Sequence, residues 1–192
     1  MKVLFLDFDG VITTYDSRWC IDTEKLNLID KIIQQTDAKI VVSSSWKVGN
    51  ENVEDFKERI GMKRCSKNTK NETPFQKFLN QIYDITDSRG PWRGDEIQRW
   101  IDEHEEDIES YVILDDDDDF REEQLFNFVQ TDTYEGITSR EVKLCVNILN
   151  NNRIQNPIRL NLRLTTMWRN MRMDIQENNI DKLLHEYYNK FL

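Results

Sequence analysis

The sequence predicts an α/β fold in which helices flank a five-stranded parallel sheet. Short apolar runs at residues 3–6, 39–42 and 111–114 are typical of strands buried on both faces. The segments between them carry apolar residues at helical spacing. Each run ends directly in polar or acidic residues, and ligands of open parallel sheets bind beyond the carboxyl ends of the strands. We therefore expect a functional site at that edge of the sheet.

The first half of the chain is expected to alternate strands and helices. Asp22 or Thr23 caps a helix that runs to about Gln35, because its apolar residues share one face. Further along, the pattern predicts a helix over 52–60, a polar loop over 61–74, a helix over 74–79 and a strand over 81–85. Tyr15, Arg18 and Trp19 lie in a short mixed segment after the first strand and are expected to be exposed.

The second half continues this alternation. A helix begins at Arg93, and the strand at 111–114 is followed by five aspartates, of which the last three face solvent or cap a helix from Phe120. A fifth strand is predicted over 126–129, and a capped helix over 139–149. The sequence therefore predicts a main domain at residues 1–150. A helical C-terminal extension at 151–192 packs on it or on a second copy of the chain.

Composition fits a soluble globular protein, with 38% hydrophobic and 32% charged residues among 192. No apolar run approaches the roughly 20 residues of a membrane span, and the stretch after Lys2 is too short for a secretory signal. Three cysteines without close pairing favour reduced thiols in a cytoplasmic compartment. We therefore expect no membrane partner and a cytoplasmic location, while the oligomeric state stays open.

Charge is unevenly distributed along the chain, whose net charge is −10. Residues 150–173 contain five arginines and no acid, with Trp168 among them. This segment can pair with the acidic main domain, or it can contact a phosphate backbone with a stacking ring. The composition leaves both interpretations open.

Asp7 and Asp9 follow the first strand, and Gly10 then allows the chain to turn. Oxygen ligands at this spacing suit Mg²⁺, a hard cation. An Asp-x-Asp pair also occurs in sugar-transferase metal motifs, in acidic phosphate-receiver pockets and in strands that end in a polar turn. The downstream sequence has to decide among these.

Three later segments supply the other parts of a phosphate site. The second strand ends in Ser43, Ser44, Ser45, Trp46 and Lys47, where hydroxyls and backbone N–H groups can hold phosphate oxygens. Arg93 can neutralise a phosphoryl group or be a solvated charge at a helix start. Asp115 and Asp116 follow the fourth strand directly, and such packed acids repel unless a cation offsets them.

Together these motifs resemble the haloacid dehalogenase (HAD)-like hydrolases. The resemblance rests on Asp7-Phe8-Asp9-Gly10-Val11, Ser43, Arg93 and Asp115-Asp116, and it covers roughly residues 1–150. More narrowly, Val-Val-Ser-Ser-Ser-Trp-Lys, Arg-Gly-Asp-Glu-Ile and Val-Ile-Leu-Asp-Asp-Asp are similar to the HAD domains of Swiss Army knife RNA-repair proteins. That branch is similar to the phosphatase domain of polynucleotide kinase–phosphatases. The resemblance implies a Rossmann-like sheet of order 5-4-1-2-3.

The resemblance also implies roles for individual residues. Asp7 is expected to be the nucleophile that forms an aspartyl-phosphate, and Asp9 to protonate the leaving oxygen and then activate water. Ser43 and Arg93 complete the catalytic set, although Arg89 or Arg99 can replace Arg93. Phosphate or substrate is expected to contact Gly10, Ser44 and Lys47. Mg²⁺ is expected to be held by Asp7, the Asp9 carbonyl, and Asp115 or Asp116.

Spacing bears on the substrate. Only 33 residues separate Asp9 from Ser43, and 49 separate Ser43 from Arg93, which leaves room for a small flap at most and little or no cap domain. An open site admits a phosphate at the end of a large molecule, so RNA or DNA ends are the expected substrates. A nucleotidase or other small-molecule phosphatase, a protein phosphatase and a non-catalytic binding module are the alternatives.

Overall fold

A five-stranded parallel sheet forms the centre of the computed structural model, which describes residues 1–62 and 73–150. The strands are β1 (Lys2–Leu6), β2 (Lys39–Val42), β3 (Ile82–Ile85), β4 (Ser110–Asp115) and β5 (Phe128–Gln130). Their order across the sheet is β3-β2-β1-β4-β5, and every neighbouring pair is parallel. The predicted α/β fold and strand order are confirmed.

The described residues form five α-helices, and side chains cap the starts of several of them. They are α1 (Thr23–Thr36), α2 (Val53–Met62), α3 (Pro74–Gln81), α4 (Arg93–Glu103) and α5 (Ser139–Leu149). Asp22 caps α1 by accepting a hydrogen bond from the Glu24 backbone N–H. Thr138 and Glu141 form a reciprocal capping box at the start of α5. Both helices begin where the sequence predicted.

The two faces of the sheet are covered by different helices, and this decides which side the site faces. Leu4 and Leu6 of β1 pack in a core that includes α1 and α5 residues. Phe5 points the other way, where its ring lies 5.4 Å from that of Trp100 in α4. Because side chains alternate along a strand, Asp7 continues the face of Phe5. The end of β1 therefore directs Asp7 toward the side of α4.

The predicted fifth strand is present but begins two residues later than expected, and the helix predicted to begin at Phe120 is wrong. No helix begins at Phe120; instead a 3-10 helix spans Glu122–Asn127, and β5 starts at Phe128. The buried side chain of Gln124 explains the difference, because its amide donates to the Gly94 carbonyl and accepts from the Arg121 backbone N–H. This polar anchor replaces the continuous α-helix that the sequence pattern suggested.

The predicted loop at 61–74 lies largely outside the described residues, as do the arginine-rich segment at 150–173 and the extension at 151–192. Those predictions stay predictions. In the described part, the segments between Asp9 and Ser43 and between Ser43 and Arg93 form the sheet and its helices rather than a separate lid, and Phe56 of α2 and Phe78 of α3 pack in the core. Among the helices described, none has the length and apolarity needed to cross a bilayer.

Candidate active site

The ends of three adjacent strands bring three predicted site residues together. Val42 of β2 and Leu114 of β4 both pair with Leu6 of β1. The ladder extends one residue further, since the Asp7 N–H donates to the Leu114 carbonyl and the Ser43 N–H donates to the Leu6 carbonyl, each at 3.0 Å. Paired residues of parallel strands project to the same face. Asp7 therefore lies between Ser43 and Asp115 on the α4 side of the sheet.

Asp7, Asp115 and Asp116 form a compact carboxylate cluster. One carboxylate oxygen from each lies within 4.8 Å of the other two. Asp7 is 3% exposed and Asp115 is fully buried. The Arg93 guanidinium contacts both, with Nη1 3.0 Å from Asp7 Oδ1 and a hydrogen bond donated to Asp115 Oδ2. One arginine thus bridges two of the three acids.

Burial and neighbouring charges change the pKa values of Asp7, Asp115 and Arg93. Burial raises the pKa of Asp7 from 3.8 to about 6, although the Arg93 charge and a hydrogen bond with the Ser44 side chain oppose the rise. Burial and the charge of Asp7 raise the pKa of Asp115 well above its ordinary value. Burial by itself lowers the pKa of Arg93, but the charges of Asp115 and Asp7 raise it overall. A further cation would therefore stabilise the ionised acids.

Arg93 is positioned by the acidic loop after β4. The Asp119 carboxylate accepts from the Arg93 backbone N–H at 3.3 Å, and the Asp119 carbonyl accepts from the Gly94 N–H. A Cβ at Gly94 would lie 2.8 Å from the Arg121 nitrogen, so this close approach requires glycine. Asp119 was expected to face solvent or cap a helix from Phe120, and that expectation is wrong: it caps α4 instead.

The alternative arginines have a different partner. Arg89 and Arg99 both form ion pairs with Asp87, at 2.7 and 2.6 Å. Arg99 is the main reason that the pKa of Asp87 falls below its ordinary value. Of the three arginines considered from the sequence, Arg93 is the one in contact with Asp7.

Asp9 is held by two donors that sequence reasoning missed. Trp46 Nε1 donates to Asp9 Oδ2 at 2.9 Å, and Thr13 Oγ1 donates to Asp9 Oδ1 at 2.8 Å. Thr13 follows Asp9 by four residues, a local spacing that could have suggested the contact. Trp46 lies in the serine-rich turn, and its ring packs against that of Phe8 with the centroids 5.4 Å apart. This contact depends on packing rather than on local spacing.

Gly10 makes room for Asp116. Its φ of +69° lies in the left-handed region, and a Cβ at this position would overlap the Asp116 carboxylate. The Gly10 carbonyl accepts from Thr131 Oγ1 at 2.8 Å, and the Thr131 N–H donates to the Asp115 carbonyl at 2.9 Å. Gly10 thus shapes the cluster, and Thr131 ties the two acidic segments together.

The serine-rich turn contributes a free hydroxyl and a buried ion pair. Among the described residues, Ser43 Oγ is buried without a hydrogen-bond partner, and Asp7 Oδ1 likewise accepts no hydrogen bond. Lys47 is 3% exposed, and its Nζ contacts Glu96 Oε2 at 2.8 Å and the Ser43 carbonyl at 3.2 Å. In the structure Lys47 links the turn to α4, and the importance of Glu96 was not visible from sequence.

The donor set fits a hard divalent cation. Three carboxylates converge, and Gly10 leaves space beside them. Asp7 Oδ1 accepts no hydrogen bond and has only the ion pair with Arg93 at 3.0 Å. Mg²⁺ is usually bound by one or two protein carboxylates together with waters and substrate phosphates, and this cluster supplies enough acids for that. Asp7, Asp115 and Asp116 could hold such an ion, and the free Ser43 hydroxyl lies beside them to bind an anion.

Comparison with known proteins agrees with this geometry. The family model described as "HAD domain in Swiss Army Knife RNA repair proteins" matches residues 3–142, from the first residues of β1 into α5. No curated protein and no solved structure matches the chain. The match spans most of the chain and every residue of the site. The chain therefore belongs to the HAD domains of Swiss Army Knife RNA repair proteins, within the HAD-type hydrolases.

Proposed function

We propose that the protein is a Mg²⁺-dependent phosphomonoesterase that acts through an aspartyl-phosphate on the phosphorylated ends of nucleic acids. The observation that carries the proposal is the arrangement around Asp7. Its buried carboxylate lies beside the unpartnered Ser43 hydroxyl, contacts Arg93 at 3.0 Å, and belongs to the cluster with Asp115 and Asp116. The carboxyl edge of the sheet thus brings together a nucleophile, a hydroxyl that can donate a hydrogen bond to an anion, a fixed positive charge and a possible cation site.

In the first half-reaction a carboxylate oxygen of Asp7 attacks phosphorus, and the phosphorus–oxygen bond to the leaving group breaks. Asp9 gives its proton to the departing oxygen. The donors Trp46 and Thr13 keep the Asp9 carboxyl in place. The Ser43 hydroxyl donates to a phosphoryl oxygen, and Arg93 stabilises the negative charge on the transferring group.

The second half-reaction regenerates the enzyme. Asp9, now ionised, accepts a proton from a water molecule whose oxygen attacks the aspartyl-phosphate. The bond between phosphorus and Asp7 breaks, and inorganic phosphate leaves. Asp7, Asp115 or Asp116, and the Asp9 carbonyl would hold Mg²⁺. A bound ion would neutralise charge and so let an anionic nucleophile approach an anionic substrate. Lys47 has a positioning role in this scheme, because its Nζ joins Glu96 to the Ser43 carbonyl.

The substrate class rests on two observations. The family is described by its occurrence in RNA repair proteins, and the described segments between the site motifs form no separate lid. A small-molecule phosphatase remains the second candidate, because a carboxylate cluster of this kind serves either substrate size.

Turnover assays test the proposal. Native protein, Asp7→Asn and the exposed-residue control Asp118→Asn are compared on an aryl phosphate, 5′- and 3′-phosphorylated oligonucleotides, mononucleotides and a phosphopeptide, with Mg²⁺ or with EDTA. We expect Mg²⁺-dependent release of phosphate from oligonucleotides by the native protein and the control variant, and none by Asp7→Asn. Faster turnover of mononucleotides would favour the second candidate, and no turnover of any substrate would refute both.

A further inference from the structure

Two exposed tyrosines lie together beside the site, and the proposed mechanism gives them no role. Tyr15 is 67% exposed in the turn after β1, and Tyr134 is 72% exposed in the loop after β5. Their ring centroids are 6.5 Å apart and their planes are inclined by 63°. This edge-on contact leaves ring faces open to solvent. We call these two residues the tyrosine pair.

The backbone holds the tyrosine pair in place. Gly136, at φ +70°, lies so close to the Val11 carbonyl and to Thr14 that a Cβ would lie 2.6 Å from that oxygen. The Ile137 N–H donates to the Val11 carbonyl at 3.0 Å. The loop after β5 is thus fixed against the turn after β1. The relative position of the two rings therefore does not depend on their mutual contact alone.

The turn that carries Tyr15 is also strained. Arg18 and Trp19 have φ values of +53° and +59°, an unusual conformation for consecutive bulky residues. Backbone hydrogen bonds from Arg18 to Tyr15 and from Trp19 to Thr14, each 3.0 Å, maintain it. Strain of this kind concentrates at ligand-binding sites. Trp19, itself 47% exposed, adds a further aromatic surface to the same turn.

Both segments leave directly from site residues. Thr13, two residues before Tyr15, donates to the Asp9 carboxylate at 2.8 Å. Thr131, three residues before Tyr134, donates through its backbone to the Asp115 carbonyl at 2.9 Å and through its hydroxyl to the Gly10 carbonyl at 2.8 Å. Each member of the tyrosine pair therefore lies within three residues of a threonine that contacts the candidate active site.

We propose that the tyrosine pair stacks on the nucleobase of the terminal nucleotide whose phosphate is removed. Aromatic faces stack on any base. Around the pair, Asp16, Asp132 and Glu135 are exposed acids and Arg18 is an exposed cation. Because these acids repel phosphates, this surface is suited to binding the base of one terminal nucleotide rather than a long phosphate backbone. The inference rests on the proposed function and specifies its substrate: a phosphate next to an accessible, unpaired base.

The test compares phosphorylated oligonucleotides that carry either a normal base or an abasic sugar at the terminal position. For the native protein, loss of the base should lower kcat/KM at least about fivefold. The double variant Tyr15→Ala/Tyr134→Ala should hydrolyse the base-bearing and abasic substrates equally. Tyr15→Phe/Tyr134→Phe should restore the discrimination, since phenylalanine also stacks. Tyr83→Ala is the matched control, because Tyr83 is 47% exposed on the edge strand β3.

The outcomes separate this inference from the proposed function. Equal kcat/KM of the native protein on base-bearing and abasic ends, or discrimination that survives in the alanine variant, overturns the stacking role while phosphatase activity stands. If the native protein hydrolyses no phosphate ester, the proposed function fails, and binding measured by fluorescence anisotropy in EDTA tests the stacking role instead. The native protein must then bind the base-bearing end at least about fivefold more tightly than the abasic end, and the alanine double variant must bind both ends equally. Equal dissociation constants overturn the inference in that case too.

Discussion

Replacing Asp7 with asparagine should stabilise the metal-free protein at pH 8 while removing the proposed nucleophile. The pKa of Asp7 is raised from 3.8 to about 6, chiefly by burial. The folded state therefore keeps this proton to a higher pH than the unfolded state does. The contribution of Asp7 to stability therefore falls as the pH rises from about 4 to about 6, and it stays lower above that range. A shift of this size corresponds to about 3 kcal/mol.

Asparagine removes that penalty because it is never ionised. In urea unfolding with EDTA, we expect Asp7→Asn to exceed the native protein by up to about 3 kcal/mol at pH 8 and to match it near pH 4. Asp118→Asn makes the same charge change at an exposed position of the acidic run and should show no such difference. Added Mg²⁺ should stabilise the native protein and leave Asp7→Asn nearly unaffected. A variant that is less stable at pH 8, or a difference that does not vary with pH, would refute the reasoning.

Three further substitutions test other parts of the site. Gly10→Ala places a methyl group where it overlaps the Asp116 carboxylate, and it forces alanine to φ +69°. Urea unfolding should therefore show a loss of about 1–2 kcal/mol in stability, and a Mg²⁺ titration should show weaker binding. Lys47→Met leaves the Glu96 carboxylate buried and unpaired, which should cost about 3–5 kcal/mol in the same assay, and adding Glu96→Leu should recover most of it. Trp46→Phe removes a donor to Asp9, so kcat should fall about tenfold or more on alkyl phosphates but less on aryl phosphates, which need less proton donation; an equal loss on both would contradict the positioning role.

The fold was predictable because its signals are local. The apolar runs of β1, β2 and β4 are too short and too continuous for surface helices, and they emerge as the three central strands. Thr138 and Glu141 predict the start of α5 without reference to the rest of the chain. The fifth strand was displaced by two residues because Gln124 finds its partners on α4, and no periodicity reports such a contact.

The sequence by itself determined which apolar runs become strands, which carboxylates follow β1 and β4, and the family motif that these residues form. Parallel strands bring their carboxyl ends to one edge, so Asp7 and Asp115 had to approach each other. Only the tertiary structure decided that Arg93 bridges them, that Trp46 holds Asp9, and that Lys47 is buried against Glu96. These contacts join residues 22 to 86 positions apart. They depend on how α4 and the serine-rich turn pack on the sheet, which is a property of assembled surfaces rather than of any local stretch.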